Sequence, residues 1–232
     1  MKRLAALAAV VAVAGLSSFA GANWWEDFDS YAAGSGLHGQ GGWKGWGDDP
    51  TWDAFVTDEM SHSAPNSLDV MVDSDIVHEF EGYTSGLWTF SAWQYIPTGF
   101  EGSSYFILLN SYTDDGSNNN WSAQVRFDSS IGMVESEFEG EQLPLIFDEW
   151  VELKVEIDLD MDMQTFYYGG DMLYMKSWTE GVSGGGALNI AALDLFANGA
   201  TSIYYDDLSL IPAPGSVMLL LAGVAIGGRR RR

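Results

Sequence analysis

The run Glu156-Ile157-Asp158-Leu159-Asp160 holds the acids whose type and spacing best suit chemistry. Alternate residues of a strand share a face, so Glu156, Asp158 and Asp160 are expected on one side. A retaining glycosidase needs an acid and a nucleophile about 5 to 5.5 Å apart, and paired carboxylates on one strand face are one way to place them. The same face, however, runs back through Lys154 and Glu152, as an ordinary solvated strand does. Other catalytic templates fail sooner. His38, His62 and His78 are far apart in sequence, no serine sits in a Gly-x-Ser-x-Gly elbow, and no phosphate loop occurs. His78, within DIVHEF, and His62, before the SAPNSL turn, read as structural or surface residues. The absence of cysteine excludes disulfides, thiolate metal sites and cysteine nucleophiles. A lyase would need Arg126, Tyr95 and Asn110, or groups like them, to converge on folding. No residue is assigned a catalytic role.

Glycan binding asks for flat rings on a wet strand face, because sugar C–H faces stack on them while nearby amides and charges bond the hydroxyls. In LWTFSAWQYI, placing Trp88, Phe90, Ala92 and Ile96 inward leaves Thr89, Ser91, Trp93 and Tyr95 outward. Gln124 and Arg126 lie opposite the apolar face of NWSAQVRF, and Asn110 and Tyr112 end SYFILLNSY. The expectation is one concave platform built from Trp93, Tyr95, Asn110, Tyr112, Gln124 and Arg126. A calcium loop over Asp158, Asp160 and Asp162 fails, since its sixth position is Met163 rather than glycine and its twelfth is Gly169 rather than glutamate.

The elements that must position these residues are strands. Residues 150–160, WVELKVEIDLD, place Val151, Leu153, Val155, Ile157 and Leu159 on one face and charged residues on the other. Leu68, Val70 and Val72 share a face of a second strand, and Trp121, Ala123, Val125 and Phe127 share a face of a third. Asp114-Asp115-Gly116-Ser117, Tyr168-Gly169-Gly170-Asp171 and Gly184-Gly185-Gly186 supply the turns. No 12-residue window makes an amphipathic helix, and no linker divides residues 23–211. About a dozen short strands in one domain imply an all-β antiparallel sandwich or jelly roll.

Charge separates this middle from both ends. Of 232 residues, 33 are acidic and 10 basic, giving a formal −23, so partners rich in phosphate or anionic lipid are excluded. With 47% hydrophobic and 14% aromatic residues the chain is too apolar for an acidic disordered tail. Residues 23–211 carry every acid against Lys44, Arg126, Lys154 and Lys176, a formal −29. Residues 1–22 have Lys2 and Arg3, an apolar run from Leu4 to Leu16 and the pattern Ala20-Gly21-Ala22, which reads as a signal peptide cleaved after Ala22. Residues 212–232 join Pro212-Ala213-Pro214-Gly215-Ser216 to an apolar run, Val217 to Gly228, and to Arg229, Arg230, Arg231 and Arg232. Twelve helical residues span about 18 Å of a hydrocarbon core of about 30 Å, while the arginines favour the cytoplasmic side. This order resembles the PEP-CTERM sorting signal, with Ala213 where that family usually has glutamate. The resemblance implies recognition by an exosortase-type protease after signal peptidase, transient inner-membrane association, and residence in the envelope or exopolysaccharide matrix.

The opening WWEDFDSYAAGSGLHGQGGWKGW, the central FSAWQYIP, DEWVELKVEIDLD followed by FYYGG, and the closing IYYDDLSL together resemble concanavalin A-like jelly rolls of the laminin-G-like and carbohydrate-binding types. The resemblance implies a glycan or matrix ligand, with a polysaccharide-cleaving enzyme or a purely structural surface protein as alternatives on the same fold. Glu156, Asp158 and Asp160 resemble the E-x-D-x-E strand of family 16 glycoside hydrolases, with the shorter Asp160 at the last position. The resemblance also implies a structural calcium tying the first strand to the last, at Asp27 and Asp29 near the start and Asp206 and Asp207 near the end.

Overall fold

The computed structural model describes residues 23–137 and 140–213. The proposed signal peptide, and the tail from Pro214 through Gly215 to Arg229, Arg230, Arg231 and Arg232, lie outside the described residues.

Fifteen strands and two single-turn 3₁₀ helices make up the described chain. The first sheet contains β1 (Trp24–Glu26), β3 (Phe55–Thr57), β4 (Ser67–Val70), β6 (Leu87–Tyr95), β11 (Trp150–Asp158), β12 (Met163–Tyr168), β13 (Asp171–Ser177) and β15 (Ile203–Pro212). The second contains β2 (Trp43–Gly45), β5 (Asp75–Glu79), β7 (Ser103–Ser111), β8 (Asn120–Asp128), β9 (Met133–Ser136), β10 (Gln142–Pro144) and β14 (Ala192–Asn198). Their orders are β13-β12-β11-β6-β15-β4-β3, with β1 also on β15, and β10-β9-β8-β7-β14-β5-β2. All pairings are antiparallel, and many sheet neighbours are distant in sequence, so the chain crosses repeatedly between two packed layers. This is a jelly-roll sandwich.

Period-two patterning explains the core. Trp88, Phe90 and Ala92 of β6 and Val151, Leu153, Val155 and Ile157 of β11 all face inward and are buried. They meet Phe106, Val125, Phe127 and Leu195 of the second sheet, and Phe106 sits edge-on to Phe90 at 5.5 Å and to Phe166 at 5.7 Å. Burial of these side chains contributes about 1.5 to 3 kcal/mol each. The turn Gly169-Gly170 joins β12 to β13 with both residues at positive φ, 59° and 88°. A two-residue hairpin of that hand twists with its strands, and glycine takes it without steric cost.

Three patterns break. Val72 lies beyond the end of β4 and is exposed, because the strand stops at Val70 and Met71 to Ser74 form a turn. Asp160 also lies past its strand, in the turn after β11, so it leaves the face shared by Glu156 and Asp158. Trp121 leaves the core as well. The β7–β8 register steps from Leu108↔Ala123 to Leu109↔Trp121, and this bulge turns Trp121 to the outer face beside Leu109. The last strand runs on through Pro212, which pairs with Trp88, so the first residue of the proposed tail belongs to the sandwich.

Candidate binding groove on the second sheet

The six residues expected to form one platform do not converge. Trp93 and Tyr95 lie on the outer face of the first sheet, Gln124 and Arg126 on the outer face of the second, on opposite sides of the sandwich. Alternation assigns a residue to the inside or outside of its strand, but it does not say which sheet the strand joins. The groups of the lyase reading are separated for the same reason.

Asn110 is interior. It is wholly buried, its Nδ2 donates to Asn120 Oδ1 and Ser122 Oγ, both at 2.8 Å, and its Oδ1 accepts from the Ala187 amide at 3.0 Å. Gly186 is pressed against this amide, where a Cβ would lie 2.2 Å from Nδ2. Asn110→Ala is therefore expected to lower stability by about 2 to 3 kcal/mol, because it strands buried partners in a network. Urea unfolding of the variant measures this, and a loss under 0.5 kcal/mol would show that the Asn110 network is dispensable.

Trp93 carries another ring. His62 stacks on it at 4.0 Å with a 12° interplanar angle, and His62 Nδ1 meets Asp207 Oδ2 at 2.6 Å. Trp150 adjoins both His62 and Tyr95. Trp93 also borders two shallow grooves of about 360 and 450 Å³, the first with Trp25, Glu26, Asp27 and Glu152, the second with Glu149, Trp150 and Gly170.

The first and last strands do pair, Glu26 opposite Leu208. The acids at these ends face protein donors. Asp206 Oδ2 accepts from the amides of His62 and Ser63, Asp207 Oδ1 from the Ser63 hydroxyl, Asp29 from the Asn66 amide and Asp27 from the Asp29 amide. Calcium binding there would exchange these bonds for metal bonds. Among the described residues no cluster of three or more metal-ligating side chains occurs. The acids of the β11 run are similarly engaged: Glu156 with Lys154 and Tyr167, Asp158 with the Asp160 and Met161 amides, Asp160 with the Gly86 amide.

Register assembles a different site on the outer face of the second sheet. One row runs Lys44, Val77, Asp194, Ile107, Gln124 across β2, β5, β14, β7 and β8; the next runs Asp75, Phe196, Tyr105, Arg126, Glu135 across β5, β14, β7, β8 and β9. Trp46, in the 3₁₀ turn Trp46–Asp48, lies nearly parallel to Trp121, with ring centroids 6.2 Å apart at 18°. Tyr112 fixes that turn. Its ring meets Trp46 edge-on at 5.1 Å and its hydroxyl accepts from the Gly47 amide at 3.0 Å. Trp46, Asp75, Ile107, Trp121, Gln124, Asp194 and Phe196 line an open groove of about 250 Å³. Of the six expected residues, Gln124 lines this groove, Tyr112 supports it and Arg126 stands on the same face.

Both cations of this face are spent within the protein. Lys44 pairs with Glu79 and, at 2.5 Å, with Asp114; burial works against its charge, but the two carboxylates hold its pKa above the ordinary lysine value. Arg126 pairs with Glu135 at 2.9 Å, Glu137 at 3.4 Å and Asp128 at 3.5 Å. The acids are the reverse. Asp194 is 3% exposed, and burial followed by the charge of Asp75 raises its pKa well above the usual carboxylate range; Asp75 is raised by burial too. Sequence reading missed Trp46, Phe196, Asp75 and Asp194. The available signal was the lone acid in Ala191-Ala192-Leu193-Asp194-Leu195-Phe196, an outward position of a strand that is otherwise apolar on both faces.

No family model matches the chain, and no curated protein matches it by sequence. Solved structures do. The globular domain of T. cruzi calreticulin superposes with a TM-score of 0.53 at 13% identity, over 88% of this chain and 93% of that one. A sialidase superposes with a TM-score of 0.53 at 9% identity, over 83% of this chain but only 19% of its own length. The likeness is one of fold. At these identities the sandwich is common to the three proteins, and the side chains of the groove must be judged on their own chemistry.

Proposed function

We propose that this chain is an exported envelope or extracellular-matrix protein that binds polysaccharide without cleaving it, through the groove on the outer face of the second sheet. The observation that carries the reading is the pair of near-parallel tryptophans, Trp46 and Trp121, beside an amide and two acids on one sheet face. Flat rings offer area to sugar C–H faces at little entropic cost, and Gln124 can both donate to and accept from hydroxyls. Asp75 and Asp194 are diagonal neighbours on β5 and β14 and burial pushes both carboxyls toward the protonated form, whereas a retaining glycosidase needs one ionised nucleophile about 5 Å from its acid, which favours holding a ligand over cutting it. A sandwich shared with a calreticulin domain and a sialidase supports the reading at the level of fold. Export rests on the basic-apolar residues 1–22 as a signal peptidase substrate, and envelope retention on residues 212–232 as an exosortase-type sorting tail.

The test is retention on insoluble polysaccharides and on arrays, with reducing and unsaturated ends assayed in the same samples. Trp121→Ala is expected to weaken retention about tenfold, since a lost stacking ring costs about 1 to 3 kcal/mol. Trp93→Ala reports on the other face: retention lost there and kept in Trp121→Ala would move the site to the first sheet. Release of new chain ends by the wild type would replace binding with catalysis.

A further inference from the structure

We infer that Asp75 and Asp194 are the hydroxyl-reading element of the groove and that its ligand is an uncharged sugar polymer, with polyuronates and other anionic glycans excluded. The inference rests on the glycan reading above and deepens it to a ligand class.

Geometry comes first. Asp75 on β5 and Asp194 on β14 are diagonal neighbours, because Asp194 stands opposite Val77 and Asp75 opposite Phe196. Burial raises the pKa of both carboxyls, and the charge of Asp75 raises that of Asp194 further, so the two acids disfavour ionising together.

The second observation is unmet hydrogen-bonding capacity. Oδ1 of Asp75 and Oδ1 of Asp194 are both buried and have no partner among the described residues, although Asp194 is 97% buried and lines the groove. A buried carboxyl oxygen without a donor is destabilising, more so when charged. Hydroxyl donors of a ligand in the groove would satisfy both atoms. Two neighbouring acceptor oxygens beneath a tryptophan wall suit adjacent hydroxyls of one sugar ring, whose C–H face then lies against Trp121 or Trp46.

Charge decides the class. A uronate or sulfate would bring its anion beside this pair, on a domain of formal charge −29, and would need a cation to offset the repulsion. Lys44 and Arg126 are the cations of this face, and each is already held by at least two carboxylates. Neutral hydroxyls meet no such penalty.

The experiment uses the purified full chain, affinity electrophoresis or sedimentation, and two polymer sets. One set is neutral (cellulose, a β-1,3-glucan, mannan, dextran); the other is anionic (polygalacturonate, alginate). The expected result is retention by at least one neutral polymer and none by the anionic set at either 0.05 or 0.5 M salt, with Asp194→Asn and Asp75→Asn each lowering neutral retention about tenfold. Asp75→Asn, at the more exposed of the two positions, keeps the test valid if the Asp194 variant unfolds, and circular dichroism confirms folding. Wild-type binding to a polyuronate as tight as to the neutral polymers would overturn the inference. So would unchanged neutral binding in a folded Asp75→Asn protein that Trp121→Ala still disables, and in that case the groove remains the glycan site. Retention by no polymer of either set would overturn both readings together.

Discussion

Replacing Glu26 with alanine is expected to lower the folding free energy by about 2 to 4 kcal/mol and the melting midpoint by about 10 °C. Glu26 looks in the sequence like one more surface acid in WWEDFD, yet it is only 9% exposed. Its Oε1 accepts from the Phe28 amide at 3.0 Å, and its Oε2 accepts from the Tyr31 hydroxyl at 2.7 Å and from Trp43 Nε1 at 3.1 Å. Glu26 belongs to β1 in the first sheet and Trp43 to β2 in the second, so one carboxylate ties the two layers at the edge of the sandwich. Truncation leaves the indole N–H of Trp43, a residue 1% exposed, without an acceptor, and unpins the turn that carries Tyr31. Glu26→Gln should recover part of the loss, because a single amide oxygen replaces two carboxylate oxygens. Thermal and urea unfolding of both variants measure the effect; a midpoint within 2 °C of wild type in Glu26→Ala would show that the tie is dispensable.

Stability is also expected to rise, by about 1 to 3 kcal/mol, when the pH falls from 7 to about 5. Burial pushes the carboxyls of Asp69 and Asp206 up to about 6, raises Asp75, and with the charge of Asp75 raises Asp194 further. A carboxyl with a raised folded-state pKa binds its proton more readily in the folded chain. Between the unfolded value near 4 and the folded value, the native state therefore holds more protons, and stability falls as pH rises through that window. His78 opposes this. Burial lowers its pKa to about 4, so the unfolded chain gains a proton near 6.5 that the folded chain does not take, and stability drops on acidification over the same range. Four carboxyls outweigh one imidazole, and protonation also relieves the self-repulsion of a domain at −29. Further down the sign reverses. Hydrogen bonds from Thr51 to Asp49, from Ser117 to Asp115 and from Thr98 to Asp148 hold these carboxyls below their ordinary value, and their contribution is lost as pH falls below it. Urea midpoints at pH 7, 6, 5 and 4 should pass through a maximum near 5, and Asp194→Asn should flatten the rise. A midpoint that declines steadily from pH 7 to 5 would refute the balance.

These acids show how a protein without cysteine fixes its loops. Asp53 Oδ1 accepts from the amides of Leu37, His38 and Ala54; Asp162 accepts from the Thr179 amide and from the hydroxyls of Ser177 and Thr179; Asp148 accepts from the Thr98 amide and hydroxyl. Apart from the bond to the adjacent Ala54, each joins positions 15 to 50 residues apart, doing locally what a disulfide would do covalently. Much of the formal negative charge is thus structural, which a count of acids does not reveal.

Sequence alone determined the all-β class, the strand faces of β6 and β11 and the turns at Asp114–Ser117 and Tyr168–Asp171, because period-two burial and positive-φ glycine are local properties that a single segment carries. It also made the meeting of the first and last strands legible, since closing a sandwich brings them together. The tertiary structure alone decided which face belongs to which sheet. Trp93 and Arg126 are equally outward in their own strands, yet β6 pairs with β11 and β15 while β8 pairs with β7 and β9, and that puts them on opposite surfaces. Only the bulge beside Leu109 turned Trp121 toward Trp46, and only the pairing of β5 with β14 brought Asp75 against Asp194 across 119 residues of sequence. Alternation is set by backbone geometry within one strand; the site is set by which strands become neighbours, and that is a property of the whole packed chain.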